Sequence, residues 1–225
     1  MCMSFLLSSS MKPLVCIAYL GWGTYFITIL IGTFLIVRRM QIKEEVMVLL
    51  SGGIDSMATV HFFAAMRRKP CAMFIDYGQA ALLSEKRSAA HIAKFFRINL
   101  LTAHWDPIIP KHAGYIAGRN AFLLLAGLME KPPSVTTIAL GIHAGTSYSD
   151  CSSHFVDEMQ KIFDIYCDGR THISCPFIDF QKIEIFSYCK ENHLPLELTY
   201  SCESGPNPCG KCLSCKDREL LNASP

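Results

Sequence analysis

Val46-Met47-Val48-Leu49-Leu50-Ser51-Gly52-Gly53-Ile54-Asp55-Ser56 decides how this chain folds. Val46 to Leu50 is a short continuous apolar run, the pattern of a strand buried on both faces. Ser56 to Arg68 reads as a helix, closed by Lys69-Pro70. Between strand and helix, Gly52 and Gly53 let the backbone turn sharply and bring bare N–H groups close to an anion. The helix behind them puts its positive N-terminal end at the same spot. Hydroxyls of Ser51 and Ser56 can bond phosphate oxygens, and Asp55 can cap the helix or help to hold Mg²⁺. A bare Ser/Gly turn linking strand to helix is the bland alternative.

Outward from this stretch, strands and helices alternate. Strands are expected over Cys71 to Asp76, Ile98 to His104, Val135 to Gly141 and His172 to Cys175. Helices are expected over Ser84 to Phe96, with Ser84 as N-cap and Arg87 and Arg97 outward, and over Asn120 to Glu130, apolar on nearly all sides. Two more span Ser152 to Tyr166 and Gln181 to His193, and a loop holds Pro107 and Pro110. This order predicts an α/β fold, a parallel sheet with helices on both faces. Ligands then sit beyond the carboxyl ends of the strands, after Leu50, Ile75, His104 and Gly141.

Composition narrows the function classes. The chain has 225 residues, 51% apolar and 18% charged, with a formal net charge of +2. That excludes a disordered chain and gives no basic stripe for direct nucleic-acid binding. Residues 14–37 carry no charge and are followed by Arg38, Arg39 and Lys43. Such a run is long enough to span a bilayer, with the rest of the chain kept in the cytoplasm. Met40 is also a natural start for a soluble domain, which would make residues 1–39 an extension of the reading frame. Three regions result: a leader over 1–39, a nucleotide-binding domain over 40–200 and a metal-binding segment over 201–219.

Eleven cysteines are many for this length. Most are scattered in apolar segments, as reduced core thiols are; Cys71 and Cys189 are examples. Cys202, Cys209, Cys212 and Cys215 instead form a tight knuckle, with Gly210 easing its turn. Four sulfurs with no open position describe a structural tetrahedral zinc site; an iron–sulfur cluster would also accept them. The usage favours a reducing, cytoplasmic setting rather than a secreted disulfide framework.

Ser51 to Ser56 matches the Ser-Gly-Gly-x-Asp-Ser signature of the PP-loop ATP pyrophosphatases, a Rossmann-like group related to the adenine nucleotide alpha hydrolases. Together with the cysteine knuckle it resembles the 7-cyano-7-deazaguanine synthase family. Tyr77-Gly78-Gln79, Gly118-Arg119-Asn120, Asp150-Cys151 with Phe155, and Arg218 are similar to that family's segments, so the likeness covers Val46 to Arg218. The resemblance implies binding of ATP by Ser51, Gly52, Gly53, Ile54, Asp55, Ser56, Tyr77, Gln79, Gly118 and Asn120, with Mg²⁺, and zinc on the four knuckle cysteines. It implies catalytic roles for Ser51, Asp55 and Arg119, the last supplying a guanidinium to substrate or phosphate. It further implies a homodimer and a C–N ligase that joins 7-carboxy-7-deazaguanine to ammonia through adenylate and amide intermediates.

The pattern also departs from the family. Ala80 and Ala81 follow Tyr77-Gly78-Gln79 where the family has Arg-His, and the stretch Gly145 to Cys151 is shorter, without its leading Asp. Two alternatives stay open: a diverged ligase of the same chemistry with another acid or amine, as in anti-phage systems, and a membrane-tethered nucleotide-binding module without catalysis. His143 follows the fourth strand and faces either the pocket or a structural partner. His154 and His172 have no metal-ligand partners at sensible spacing.

Overall fold

The computed structural model describes residues 45–106, 116–146 and 148–223, with side chains to 221. The apolar leader, Pro107, Pro110 and Ser147 lie outside them. Among the described residues no helix is long and apolar enough to cross a membrane. These residues belong to one compact unit.

Five parallel strands form a single sheet in the order β3-β2-β1-β4-β5. They are β1 (Glu45–Leu49), β2 (Pro70–Asp76), β3 (Leu100–His104), β4 (Val135–Leu140) and β5 (His172–Ser174). Helices α1 (Ile54–Ala65), α2 (Leu82–Phe96), α3 (Arg119–Glu130), α4 (Ser153–Cys167), α5 (Lys182–Glu191) and α6 (Leu213–Ala223) complete the described residues, with a 3-10 turn at Leu196–Leu198. The expected α/β order is present, with boundaries shifted by a few residues. The 3-10 turn and α6 have no counterpart in the pattern reading.

β1 is central, and its side chains alternate between two cores. Val46, Val48 and Leu50 point into one, with Ile54, Met57 and Phe63 of α1, Ile92 of α2 and Ile185 of α5. Met47 and Leu49 point into the other, with Leu124 of α3 and Met159 and Phe163 of α4. Both sides of the strand are dry, which explains why its sequence is apolar throughout. Each such side chain contributes roughly 1.5–3 kcal/mol on full burial.

Local signals set several helix ends. Ser152 caps α4, its Oγ accepting from Phe155 N at 3.2 Å, a bond worth about 1 kcal/mol. Gln181 N–H donates to Glu184 Oε2 at 2.6 Å, which fixes the first turn of α5 and with it the position of Lys182. Ser84 is not the cap expected of α2. That helix starts earlier, at Leu82 after Ala81, and Ser84 Oγ donates to Pro206 O at 2.9 Å. A tertiary acceptor has taken the hydroxyl. α3 is less enclosed than its apolar sequence suggests: Asn120, Leu124, Ala126 and Gly127 are buried, while Met129 is exposed.

The sheet's strand order sets where ligands can sit. From β1 the chain crosses to β2 and then β3 on one side, and β4 and β5 lie on the other. Leu49 is level with both Met73 of β2 and Leu140 of β4. The carboxyl ends of β1 and β4 therefore flank the crevice where crossovers diverge, the usual ligand position in such sheets.

Candidate active site

A cavity of about 230 Å³ opens at that crevice. It runs beyond β1, β2 and β4; the end of β3, also a candidate from the sequence, is not part of its lining. Its floor is the loop from Ser51 to Ser56, of which Gly52 packs against α2 outside the lining. Gly52 has φ +89, and a Cβ there would lie 2.6 Å from Glu85 O. Only glycine fits. Gly141 at the end of β4 packs against α1, where a Cβ would sit 2.8 Å from Asp55 O and Ser56 N. The start of α1 is thus pressed against two strand ends. Its first-turn N–H groups at Ile54, Asp55 and Ser56 have no intrahelical acceptor.

The hydroxyls are arranged around these donors. Ser51 Oγ lies 3.3 Å from Ser56 Oγ, and Gly53 N donates to Ser51 Oγ at 3.4 Å. Ser56 Oγ donates to Gly53 O at 2.9 Å. Asp55 does not cap α1, whose cap position is Gly53 with no side-chain bond. Its carboxylate instead accepts from Lys182 Nζ at 2.6 Å on both oxygens. His143 Nε2 stands 4.0 Å from Asp55 Oδ2, and Gly145 N donates to His143 Nδ1 at 3.1 Å. Burial holds the His143 pKa below its ordinary value. His143 is buried, is held by Gly145 N through Nδ1, and does not line the cavity.

The second wall comes from the end of β2 and the start of α3. Tyr77 N donates to Gln79 Oε1 at 3.0 Å, and Gln79 Nε2 donates to Glu85 Oε2 at 2.9 Å and Ile75 O at 3.3 Å. Gln79 thus ties its own loop, with its side chain at the cavity edge. Burial pushes the Tyr77 phenol up, Glu85 adds to the rise, and Arg119 opposes it. Burial also raises the Glu85 carboxyl, against Gln79 and Arg119. Arg119 is accordingly the positive group amid Tyr77, Glu85 and Glu203. Asn120, 2% exposed, donates to Asp150 O at 3.0 Å and pins the Gly145–Cys151 segment. Gly118, with φ +76, starts α3 outside the cavity lining.

The third wall is Tyr200, Ser201, Glu203, Ser214 and Arg218. Tyr200 N donates to Gly52 O at 2.9 Å, joining this wall to the loop. Arg218 donates to Leu196 O at 2.9 Å and to Thr199 O and Thr199 Oγ1, both at 3.0 Å. Its guanidinium is used to hold the turn before Tyr200. Ser214 Oγ donates to Glu203 Oε1 at 2.5 Å.

The four knuckle cysteines lie behind this wall. Their sulfurs are all within 4.8 Å of one another, the one such group among the described residues. Ser204 N and Cys209 N each donate to Cys202 Sγ at 3.4 Å, and Lys211 N and Cys212 N donate to Cys209 Sγ at 3.4 and 3.3 Å. Those last two N–H groups, Cys212 first, bring the Cys209 thiol down to about 5. Four sulfurs in so close a group fit a tetrahedral metal ion, zinc in particular. The remaining described cysteines are unbridged. Burial pushes Cys175 and Cys189 up to about 12, which leaves them unreactive thiols. Cys71 is half-buried and packs against the second core.

The structure therefore brings Ser51, Gly53, Ile54, Asp55, Ser56, Tyr77, Gln79, Arg119 and Asn120 to one cavity. Pattern reading did not find Lys182, Glu85, Glu203 or Ser214. A basic residue in the first turn of a helix that follows a strand was the available signal for Lys182. The others have no local mark.

A parallel sheet with this phosphate loop at its switch point is the architecture of a PP-loop nucleotide-binding domain. The chain belongs to the 7-cyano-7-deazaguanine synthase family. Residues 109–221 match the family described as "Queuosine biosynthesis protein QueC". The chain is 32% identical to the 7-cyano-7-deazaguanine synthase of Prochlorococcus marinus (strain AS9601) over 209 residues, 78% of this chain and 92% of that one. It is 29% identical to that of strain NATL2A over 210 residues, 80% and 93% of the two chains. Among solved structures it is similar to an NMN synthetase from Francisella tularensis, at 14% identity and TM-score 0.45, covering 84% of this chain and 80% of that one. Membership makes the chain an ATP-dependent enzyme, a carbon–nitrogen ligase that uses a small-molecule substrate.

Proposed function

We propose that this enzyme converts 7-carboxy-7-deazaguanine and ammonia to 7-cyano-7-deazaguanine at the expense of ATP. What carries the reading is one cavity lined by the phosphate loop and by Tyr77, Gln79, Arg119 and Asn120, in a chain of this family. The acid's carboxylate oxygen attacks the α-phosphorus and pyrophosphate leaves, giving an acyl adenylate. Ammonia displaces AMP and gives the amide. A second activation, on the amide oxygen, eliminates AMP and leaves the nitrile.

The loop's free N–H groups and the hydroxyls of Ser51 and Ser56 receive the phosphates, whose charge is the main obstacle in such transfers. Arg119 faces the acid's carboxylate as a two-pronged donor. Gly118 admits the turn that starts its helix. Asp55 with the serine hydroxyls offers the oxygen donors that Mg²⁺ prefers, and Mg²⁺ would supply charge neutralisation at the pyrophosphate. Zinc on Cys202, Cys209, Cys212 and Cys215 has a structural role, holding the third wall. By its family likeness the enzyme works as a homodimer, in the cytoplasm.

The test is to incubate the full chain with the acid, ammonium and Mg-ATP and to follow AMP, pyrophosphate and the nitrile. Nitrile formation with two ATP consumed supports the reading; no AMP and no nitrile overturns it. The shortened Gly145–Cys151 segment, pinned by Asn120, favours a second reading with the same activation and a different acid or amine. Pyrophosphate release that depends on another acid or amine would select it.

A further inference from the structure

Glu203 is a half-buried carboxylate on the third wall of the cavity, and the chain gives it little to pair with. The polar side chains around it are engaged. Arg218 holds Leu196 and Thr199 and reaches Ser201 Oγ at 3.4 Å. Tyr200 Oη donates to Gly205 O at 2.5 Å. Across the cavity Gln79 Nε2 donates to Glu85 Oε2, and Asn120 Nδ2 donates to Asp150 O. Glu203 accepts from Ser214 Oγ at 2.5 Å through Oε1. Among the described residues no lysine, arginine or histidine forms an ion pair with it. Oε2 and a lone pair of Oε1 are left as acceptors, and Ser214 Oγ, its hydrogen given away, can only accept. This part of the wall is rich in acceptors and calls for donors from a ligand.

We propose that Glu203 is a specificity-determining residue that reads the ring of the acid substrate, its carboxylate accepting together from N1–H and the 2-amino group of the 7-deazaguanine. The proposal rests on 7-carboxy-7-deazaguanine being the acid and assigns the residue that recognises its base. Glu203 makes and breaks no bond; it selects and orients the ring whose carboxylate Arg119 faces.

Two parallel N–H donors against two carboxylate oxygens make a bidentate, charge-assisted pair, directional as well as strong. The adenine of ATP shares the cavity but presents an acceptor, N1, beside its amino group. A carboxylate repels that acceptor, so Glu203 sorts one ring system from the other by favouring one and disfavouring the second. Its placement suits the same ligand. Glu203 and Arg119 act on the Tyr77 phenol with opposite sign, yet they form no ion pair with each other. A guanidinium and a carboxylate kept apart in one cavity match a molecule with an acid on one ring and two N–H donors on the other. The backbone beside Glu203 is fixed, because Cys202 is buried and its sulfur accepts from Ser204 N and Cys209 N. Ser214 then sets the carboxylate itself, and a reader held this way loses little freedom when the ring arrives.

Full-length wild type, Glu203→Ala and Glu203→Gln test this with two acids, 7-carboxy-7-deazaguanine and the analogue that lacks the 2-amino group. Wild type should prefer the first by about 100-fold or more in kcat/KM for pyrophosphate release, since a site built to accept a donor is left unpaired by the analogue. Glu203→Ala should lose about as much on the first acid, mostly through KM for the acid, and its preference between the two should shrink to about fivefold or less. KM for ATP and for ammonium should stay close to wild type in both variants. A merely structural glutamate would slow both acids alike. A preference kept in Glu203→Ala overturns the proposal, as does a rise in KM for ammonium or ATP while KM for the acid stays unchanged. If Glu203→Ala does not fold, Glu203→Gln, of the same size, decides in its place, because an amide puts a donor where the ring needs an acceptor: a kept preference overturns the proposal. Absence of pyrophosphate release by wild type with every acid tried would instead sink the ATP-cleaving reading. Calorimetric titration with 7-deazaguanine then decides the role of Glu203, and equal results for wild type and Glu203→Gln overturn it.

Discussion

The phosphate loop and the cysteine-backed wall face the same cavity but are built by different means. The loop takes its shape from neighbouring residues: a buried strand, two glycines and a helix start. The opposing wall, Tyr200 to Ser214, is irregular until α6 begins at Leu213, and no strand runs through it. Its position comes from four sulfurs behind it, from Arg218 reaching back to Leu196 and Thr199, and from Tyr200 N on Gly52 O. The loop has the whole sheet for support, whereas the wall has a few polar contacts and a metal-sized cluster. A metal held there would do more than fasten a tail, because it would set where one side of the cavity stands.

The largest effect should come from the loop. Gly52→Ala forces a Cβ against Glu85 O and leaves a side chain at φ +89, costing roughly 1–3 kcal/mol in strain. We expect pyrophosphate release to fall at least 100-fold, with or without metal on the cysteines. Near-normal turnover would mean that the loop tolerates rearrangement and that the two walls are alike in rigidity.

Stripping metal from the knuckle, or Cys212→Ser, should come next. The sheet should keep its circular dichroism, while KM for ATP rises about tenfold or more and the 199–215 segment becomes protease-sensitive, since metal binding there is folding energy. Cooperative loss of the whole fold would erase the distinction between the walls. Arg218→Ala removes charged hydrogen bonds to Leu196 and Thr199. It should cost about 2 kcal/mol in denaturant unfolding, with KM raised more than kcat is lowered.

The smallest expected effect lies under the loop. His143 is held neutral by burial, against Asp55 and Asp217 and with help from Lys182. An unfolded histidine titrates near 6.5. As pH falls through that value the unfolded chain binds the proton first, so stability declines until the lower folded pKa is passed. His143→Gln should flatten this part of the stability profile, and an unchanged slope would remove His143 as its source.

Much of the site was legible beforehand for a physical reason. Ser51 to Ser56 and Cys202 to Cys215 act through short-range geometry, so residue type and spacing carry their meaning. Tyr77, Gln79, Arg119 and Asn120 were located by resemblance, but their contacts were not foreseeable: Gln79 braces its own loop and Asn120 pins a distant segment. Ser84 was misread as a cap because pattern reading sees only chain neighbours, and its acceptor, Pro206, is 122 residues away. Glu85 sits on α2, outwardly a polar helix; only packing shows its carboxyl turned to the cavity.

By itself the sequence determined the alternating α/β order, the anion-binding turn after the first strand, and four thiols grouped to hold a metal. Those follow from backbone conformation, apolar periodicity and loop length, which are local. Tertiary structure alone decided the strand order that brings β4 beside β1, the wall that the cysteines support, and the grip of Lys182 on Asp55 across 127 residues. Coulomb attraction and hydrogen bonds act through space and leave no trace in the spacing of the residues they join.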